Sequence, residues 1–229
     1  MKLSIVIPVY NEKDTMEEIF RLVQETPYDK EIIAVDDASV DGSRDIMARL
    51  VEKYDNVRAF YHDHNQGKGA ALRTGFAQVT GDVVIIQDAD LEYRPADYPA
   101  LLAPIEEDVA DVVYGSRLIG GRPHRVLFFW HYMGNKMVTT LSNMFTNLNL
   151  SDMEVGYKVF KAEVLKDIII KSNRFGVEPE LTAKIAKKRW RIYEVPIQYH
   201  GRDYAHGKKI TWRDGIAAVM HIIRFRFWD

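Results

Sequence analysis

Two carboxylates stand one residue apart at Asp88 and Asp90, directly after the apolar run of residues 83–86. Carboxylate oxygens are the ligands that Mg²⁺ and Mn²⁺ prefer, and these ions complete their coordination with substrate phosphates. Two such side chains just past a strand can turn toward one ion as the chain bends. We therefore predict a Mg²⁺ or Mn²⁺ site at Asp88 and Asp90, with Glu92 as a third oxygen ligand. The alternative is an ordinary turn capped by Asp side chains.

Polar residues also follow the first two apolar runs of the chain. Residues 10–12 are Tyr-Asn-Glu, and Asp36 and Asp37 close the second run. An acid in that second position can accept hydrogen bonds from the ribose or base of a nucleotide. Because residues 39–43 offer further helix-capping side chains, a capping role alone is the alternative for one of the two Asp residues.

A glycine-punctuated segment covers residues 64–70. It lacks the Ser or Thr of a Walker loop after Lys68, and it lacks the last glycine of a dinucleotide-binding loop. We interpret it as a tight turn that opens a helix near a nucleotide pocket. Lys68 is then either a phosphate contact or a solvated lysine. We interpret residues 62–64, which are His-Asp-His, as an exposed loop and not as a metal cluster.

Basic residues dominate the later part of the chain. Arg117 follows another apolar run, and an Arg fork at a strand end suits phosphate. Residues 184–213 hold nine Lys and Arg residues and only two acids. Within them, Arg202 and Lys208 lie in a glycine-hinged loop that could close over phosphates. An ordinary basic surface loop is the alternative.

The elements that must position these residues alternate between strands and helices. Apolar runs typical of buried strands cover residues 2–9, 31–35, 57–61, 82–87 and 111–114, and helical spacing covers 14–26, 43–54, 69–79 and 95–107. This alternation predicts an α/β fold with a mostly parallel, Rossmann-like sheet flanked by helices. Ligands bind beyond the carboxyl ends of the strands in such sheets, which is where the polar clusters stand.

The second half of the chain is less regular. We predict helices over 126–147, 180–188 and 212–227, and strands over 154–160 and 191–199. Residues 127–133 and 224–228 are rich in aromatic side chains. They are predicted either to lie at a membrane interface or to pack into the core.

Composition narrows the classes of protein further. The 229 residues include no Cys, which excludes disulfides and thiolate metal sites. Pro8 ends the first apolar run too early for a signal peptide, and no apolar stretch reaches the roughly 18–20 residues that span a bilayer.

Residues 1–110 carry a net charge of −11 and residues 111–229 a net charge of +9. We expect an acidic metal-binding half beside a basic half that meets an anion or an anionic membrane, and no nucleic acid. Solvated helix faces are the alternative.

With these residues in place, the sequence resembles family-2 glycosyltransferases of the A-type fold. It is most similar to the dolichyl- and polyprenyl-phosphate mannosyl- and glucosyltransferases. The resemblance covers nearly the whole chain. It rests on the ordered motifs at residues 7–12, 35–43, 65–71, 88–91 and 115–117.

The resemblance implies a role for each motif residue. Asp37 would contact the ribose or base, and Glu92 stands where the family often has Gln. That change keeps an oxygen ligand but adds negative charge. By this resemblance, the nucleotide pocket would be lined by Pro8, Tyr10 and Glu12. The metal and diphosphate would be held by Asp88, Ala89 and Asp90. The donor and acceptor phosphates would be held by Arg117, Arg202 and Lys208.

The resemblance also implies a reaction. A hexose would pass from GDP-mannose or UDP-glucose to a polyprenyl or dolichyl phosphate, with inversion by direct displacement. A phosphate acceptor is largely ionised at neutral pH and needs no strong general base. A sugar hydroxyl would need one, for which Asp152, Glu178 and Glu180 are spare carboxylates.

We expect a single domain over residues 1–229. Residues 1–117 would form the nucleotide-sugar and metal-binding half, and residues 118–229 the acceptor-binding half. Many relatives carry transmembrane helices after the catalytic domain, whereas this chain stops at Asp229. We therefore expect a cytoplasmic protein that docks peripherally on the inner face of a membrane.

Three other functions compete with this one. The first is an inverting glycosyltransferase with a soluble or saccharide acceptor. The second is a sugar-phosphate nucleotidyltransferase, but that class has a Gly-rich loop where this chain has residues 8–12. The third is a sugar-nucleotide-binding scaffold without activity, against which the intact Asp88 and Asp90 argue.

Overall fold

A seven-stranded sheet forms the centre of the molecule in a computed structural model that describes residues 1–120, 126, 128–174, 176–201 and 212–228. The strand order is β3-β2-β1-β4-β6-β5-β7. The strands are β1 (Leu3–Val9), β2 (Lys30–Asp36), β3 (Val57–Tyr61), β4 (Val83–Ile86), β5 (Val112–Ser116), β6 (Lys158–Lys161) and β7 (Ile192–Pro196). Among these strands of the described residues, only β6 pairs in antiparallel fashion. The prediction of a mostly parallel α/β sheet is confirmed.

Helices cover both faces of the sheet. Because its central strands are therefore buried on both sides, their sequences are nearly continuous apolar runs. They are α1 (Met16–Gln24), α2 (Ser43–Lys53), α3 (Lys68–Phe76), α4 (Tyr98–Glu106), α5 (Phe129–Thr146), α6 (Ala162–Lys166), α7 (Val177–Lys188) and α8 (Trp212–Phe227). All four residues of β4 are buried, as are all but Pro8 in β1. Helix α3 packs on β1 and β2, while α5, α7 and α8 pack on one another as a helical lobe.

The predicted boundaries of four elements in the second half were wrong. Helix α5 begins at Phe129 and not at residue 126. The strand expected over 154–160 is only β6, because the Gly156 N–H bonds the Tyr93 hydroxyl at 3.2 Å and not a neighbouring strand. Helix α7 begins three residues earlier than predicted, at Val177. Pro179 is tolerated there because N–H groups in a first helical turn have no intrahelical partner. Strand β7 ends at Pro196, short of the predicted residue 199.

The position of β6 decides which residues reach the active edge of the sheet. It lies between β4 and β5 and runs against both. The residues before β6 therefore arrive at the same edge as the carboxyl ends of β1, β2, β4 and β5. Residues 152–157 thus lie beside the residues that follow β4.

Candidate active site

The turn after β4 is held by a buried glutamine. Gln87 is fully buried, and its Nε2 donates to the Asp88 carbonyl at 2.9 Å and the Tyr93 carbonyl at 3.2 Å. Its Oε1 accepts from the hydroxyls of Tyr98 at 3.0 Å and Tyr157 at 2.5 Å. These bonds fix the backbone that carries Asp88 and Asp90. Sequence reasoning missed Gln87, although an amide at the end of an apolar strand was a visible signal.

The turn is also closed by its own side chains. Asp90 Oδ1 accepts from the Glu92 N–H at 3.1 Å, and Leu91 between them has a φ of 62°. A left-handed conformation is uncommon for a residue with a branched side chain, and such strain concentrates at functional sites. The Asp90 side chain therefore does cap this turn, and the Gln87 bonds and this cap fix the backbone that carries both carboxylates.

Gly156 meets the carboxylate of Asp88 at close range. A Cβ added at Gly156 would lie 2.3 Å from Asp88 Oδ2 and 2.9 Å from Tyr93 Cε2. No side chain fits there without moving Asp88 or the Tyr93 ring. The chain before β6 thus forms one wall of the carboxylate site.

The donor set of this site fits a hard divalent cation. Asp88 and Asp90 supply carboxylate oxygens at one strand end, and the bare Gly156 leaves Asp88 room to approach an ion. Glu92, the predicted third ligand, accepts a hydrogen bond from the Tyr199 hydroxyl at 3.0 Å. Within the described ranges, no group of three or more His, Asp or Glu side chains has the arrangement of a metal site. The role of Glu92 stays a prediction.

Lys68 lies inside this site and is not a solvated lysine. Its Nζ is 2.8 Å from Asp88 Oδ1 and 3.3 Å from Glu178 Oε1, and its side chain is 16% exposed. Burial acts to lower the pKa of Lys68, but the carboxylates of Asp88, Glu178 and Asp90 outweigh it and raise that pKa overall. The ammonium therefore stays charged beside Asp88. Its predicted contact with a phosphate remains untested.

The loops after β1 and β2 are joined by hydrogen bonds between the side chains of one loop and the backbone N–H groups of the other. The Asn11 N–H donates to Ser39 Oγ at 2.9 Å, and the Val40 N–H donates to Asn11 Oδ1 at 2.9 Å. The Glu12 N–H donates to Ser43 Oγ, also at 2.9 Å. Pro8 and Glu12 are partly exposed and Tyr10 is exposed at this rim. The predicted nucleotide-pocket residues are therefore accessible on a loop pair that is internally braced.

Asp36 and Asp37 have different structural roles. Asp36 is fully buried and pairs with Arg44 Nε at 2.6 Å, so it is the structural member of the pair. Asp37 is 3% exposed and accepts from the Gln66 N–H at 2.9 Å and the Gly67 N–H at 2.6 Å. Asp37 therefore fixes the loop that leads to Lys68. Its contact with ribose or base stays a prediction.

The interpretation of residues 62–64 as an exposed loop was wrong for His62. Its side chain is 9% exposed, with Nδ1 2.8 Å from Asp37 Oδ1 and Nε2 2.9 Å from Thr74 Oγ1. Asp63 and His64 are exposed, as predicted. His62 therefore braces Asp37 against α3.

The glycine turn before α3 is shaped by a neighbouring loop. Gly67 has a φ of +98°, and a Cβ there would lie 2.4 Å from the Asn173 carbonyl oxygen. The Ala70 N–H donates to that same oxygen at 3.1 Å. Glu180 holds this loop by accepting from the N–H groups of Lys171 and Ser172, and it pairs with Lys184. Glu180 is therefore a structural residue and not a spare carboxylate.

Arg117 is held by Asp152. The guanidinium Nε and Nη2 donate to the two oxygens of Asp152 at 2.6 and 2.7 Å, and the guanidinium carbon lies 5.2 Å from the centre of the Tyr199 ring. Burial acts to raise the pKa of Asp152, but Arg117 and Asn135 outweigh it and lower that pKa. Asp152 is thus an ionised partner of Arg117 and not a free base. Arg202 and Lys208 lie outside the described residues.

Glu178 places a buried carboxylate beside Lys68, and Glu154 lies near Glu178. Among the described residues, neither Glu178 Oε2 nor Glu154 Oε1 has a hydrogen-bond partner. Burial and the nearby Glu178 raise the pKa of Glu154 to about 8. Sequence reasoning named Glu178 only as a spare carboxylate and missed Glu154, since nothing in their spacing connects them to Asp88.

Replacing Gly156 with alanine should lower the sugar transfer that the sequence resemblance implies by about 10²-fold, because a comparable misplacement of an active-site group costs that much. The new methyl group would force Asp88 Oδ2 away from its place. Gly215→Ala in α8 is the matched control, since a Cβ there meets no heavy atom within 4 Å. Turnover of both variants at the wild-type rate would show that the close approach of Gly156 is unimportant.

The fold and the site define a class of protein: a glycosyltransferase of the A-type fold, with a carboxylate pair beyond a mostly parallel sheet. A family model described as Glycosyl transferase family 2 matches residues 4–169. The chain therefore belongs to glycosyl transferase family 2.

Three curated relatives extend the similarity beyond the family match. The chain is 28% identical to an undecaprenyl-phosphate mannosyltransferase of Micrococcus luteus, covering 91% of this chain and 87% of the relative. It is 27% identical to a dolichol-phosphate mannosyltransferase of Pyrococcus furiosus, over 100% of this chain and 65% of the relative. It is 30% identical to an undecaprenyl-phosphate 4-deoxy-4-formamido-L-arabinose transferase of Pseudomonas fluorescens, over 90% of this chain and 59% of the relative. The chain thus spans less than two thirds of the last two relatives.

Solved structures share the fold. Glucosyl-3-phosphoglycerate synthase of Mycobacterium tuberculosis, crystallised with Mn²⁺, uridine diphosphate and phosphoglyceric acid, superposes with a TM-score of 0.74. The match covers 98% of this chain and 76% of that chain at 18% identity. The same protein was also crystallised with Mg²⁺ and uridine diphosphate, at a TM-score of 0.70 and 19% identity. At this identity the likeness confirms the A-type fold.

Proposed function

We propose that this protein transfers a hexose from a nucleotide sugar, GDP-mannose or UDP-glucose, to a polyprenyl or dolichyl phosphate. The observation that carries the proposal is the fixed turn of Asp88 and Asp90 at the shared strand edge, in a chain whose relatives are named as polyprenyl-phosphate sugar transferases. The half formed by residues 1–117 would bind the nucleotide sugar and metal. Residues 118–229 would bind the acceptor.

The donor would lie along the loops after β1, β2 and β4. Pro8, Tyr10 and Glu12 form the accessible rim for the base and ribose. Asp88 and Asp90 would hold Mg²⁺ or Mn²⁺ against the diphosphate. When bound, that ion would neutralise the negative charge that builds up on the departing nucleoside diphosphate.

The acceptor would approach from the opposite side of the sugar. Its phosphate is ionised at neutral pH, so the displacement needs no strong general base. This fits the site, because Asp152 is engaged by Arg117 and Glu180 by Lys184. Arg117, Arg202 and Lys208 are the proposed phosphate contacts.

A transfer assay tests the proposal. Radiolabelled sugar should move from GDP-mannose or UDP-glucose into an organic-extractable product when Mn²⁺ and a short-chain polyprenyl phosphate are present. Excess EDTA should stop the transfer. Release of free sugar alone would contradict the proposed acceptor, and full activity in EDTA would contradict the metal.

The first turns of α5 expose an aromatic surface, which consists of Phe128, Phe129, Trp130, Tyr132 and Met133. Trp130 is 81% exposed and Phe129 63%. Leu127 lies outside the described residues.

At the end of the chain, Phe225 is buried, whereas Phe227 and Trp228 are exposed. Neither of the two interpretations of residues 224–228, a membrane interface or packing into the core, therefore holds for every aromatic ring. Among the described helices, none is both long and apolar enough to cross a bilayer. The aromatic surface supports the proposed peripheral docking on a membrane. That the membrane face is the cytoplasmic, inner one stays a prediction.

The protein should sediment with anionic liposomes in low salt and less so in high salt. Basic residues near an anionic leaflet contribute about 1 kcal/mol each, screened by salt, and the aromatic surface adds buried apolar area. The double variant Phe129→Ser, Trp130→Ser should lose most of this binding. Ile169→Ser is the matched control, since Ile169 is 72% exposed but lies outside α5 and α8. Equal sedimentation of all three proteins would contradict docking through α5.

A further inference from the structure

A buried group of charges surrounds the proposed metal site, and the proposed transfer does not by itself explain it. We call it the Lys68 cluster: Lys68, Asp88 and Glu178. The Lys68 ammonium lies 2.8 Å from Asp88 Oδ1 and 3.1 Å from Asp88 Oδ2, so it covers both oxygens of that carboxylate. On its other side it lies 3.3 Å from Glu178 Oε1.

Because the ammonium contacts both oxygens of Asp88, a divalent cation that binds this carboxylate would have the ammonium as its direct neighbour. A monovalent and a divalent cation against the same carboxylate repel each other strongly in a site with little water. Lys68 must therefore leave Asp88 when the ion arrives. It cannot move far into solvent without exchanging a buried ion pair for water, because its side chain is only 16% exposed.

Glu178 offers a place for the displaced ammonium. Its side chain is 9% exposed, one oxygen already faces Lys68, and Oε2 is buried without a hydrogen-bond partner. A buried carboxylate oxygen in that condition is costly unless a cation comes to it.

We propose that Lys68 exchanges between two carboxylates: it neutralises Asp88 when the metal is absent and moves onto Glu178 when the metal binds. Glu178 is then a positioning residue that acts through Lys68. The inference rests on the proposed metal site at Asp88 and Asp90. It explains why a lysine is buried against a metal-binding carboxylate and why a buried Glu keeps one oxygen unbonded.

Calorimetric titration with Mn²⁺ in the absence of nucleotide tests the exchange. Lys68→Met should bind Mn²⁺ at least about tenfold more tightly than the wild type, because the competing ammonium is gone. Glu178→Gln should bind Mn²⁺ more weakly, because Lys68 loses its second partner. In the Lys68→Met background, Glu178→Gln should change the affinity by less than about twofold. Glu163→Gln, at an exposed residue of α6, is the control and should match the wild type.

A simple field effect would give a different pattern. If Glu178 only adds charge, Glu178→Gln would weaken Mn²⁺ binding equally in both backgrounds, and that result overturns the exchange. Unchanged affinity in Lys68→Met also overturns it. Lys68→Gln repeats the titration should Lys68→Met fold poorly, as judged by circular dichroism.

A crystal structure of the wild type with Mn²⁺ and a nucleoside diphosphate gives an independent reading. Lys68 Nζ should then contact Glu178 and no longer contact Asp88. Lys68 still paired with Asp88 beside a bound metal overturns the exchange while leaving the proposed function intact. No Mn²⁺ binding by any variant, even with the nucleotide, overturns the metal site and the exchange with it.

Discussion

Asp90→Ala is expected to lower sugar transfer by about 10³-fold, since loss of one group that stabilises developing charge costs up to about that much. The variant removes one of the two carboxylates proposed to hold the metal against the diphosphate. It should still fold, because Asp90 is partly exposed in a turn, where the hydrogen bond from the Glu92 N–H is lost. Such a bond contributes about 1 kcal/mol to stability.

Asp82→Ala is the matched control for Asp90→Ala. Asp82 lies just before β4, at the opposite end of the same strand, and its carboxylate likewise accepts from one backbone N–H, that of Lys2. Asp82→Ala should keep wild-type turnover and a similar melting temperature. Wild-type turnover in Asp90→Ala, with the protein folded, would contradict the metal site.

Arg117→Ala is expected to have the second-largest effect, on stability and activity together. It leaves Asp152 buried without its partner, and breaking a buried pair in this way costs about 3–5 kcal/mol. Transfer should fall by about 10²-fold, because the proposed charge-assisted phosphate contact is lost as well. Arg202→Ala should impair transfer in the same way. Lys187→Ala, at an exposed residue of α7, should have little effect on either quantity.

Asp152→Asn separates the two roles of Arg117. The amide keeps the shape of Asp152 and leaves Arg117 in place, so stability should fall while most of the transfer activity remains. Rates are compared at a temperature where each variant is fully folded by circular dichroism. Equal losses of activity in Asp152→Asn and Arg117→Ala would assign Arg117 a purely structural role.

The sequence predicted the sheet because its parallel strands are buried on both faces and separated by amphipathic helices. Residues 5–9 and 83–86 are unbroken apolar runs followed by polar side chains, and that pattern also predicted the active edge. Strand β6 could not be placed from the sequence. It is four residues long, and its position between β4 and β5 depends on pairing with strands far away in the chain.

The site was predictable where a motif is local and not where its parts are distant. Asp88, Asp90 and the glycine turn before Lys68 stand in short segments whose chemistry is visible in the residues. The pairing of Lys68 with Glu178 and of Arg117 with Asp152 joins residues 110 and 35 positions apart, and no spacing rule connects them. Gly156 carried the one local signal in that region, a glycine where a strand was expected.

A competition between acceptors tests the central claim most directly. The wild-type enzyme, Mn²⁺ and a radiolabelled nucleotide sugar are incubated with equal concentrations of a short-chain polyprenyl phosphate and phosphoglyceric acid. The partition of the label between organic and aqueous phases is then measured. Transfer to a lipid phosphate predicts that most of the label enters the organic phase. Label found only in glycosylated phosphoglyceric acid, with the organic phase unlabelled, would contradict it.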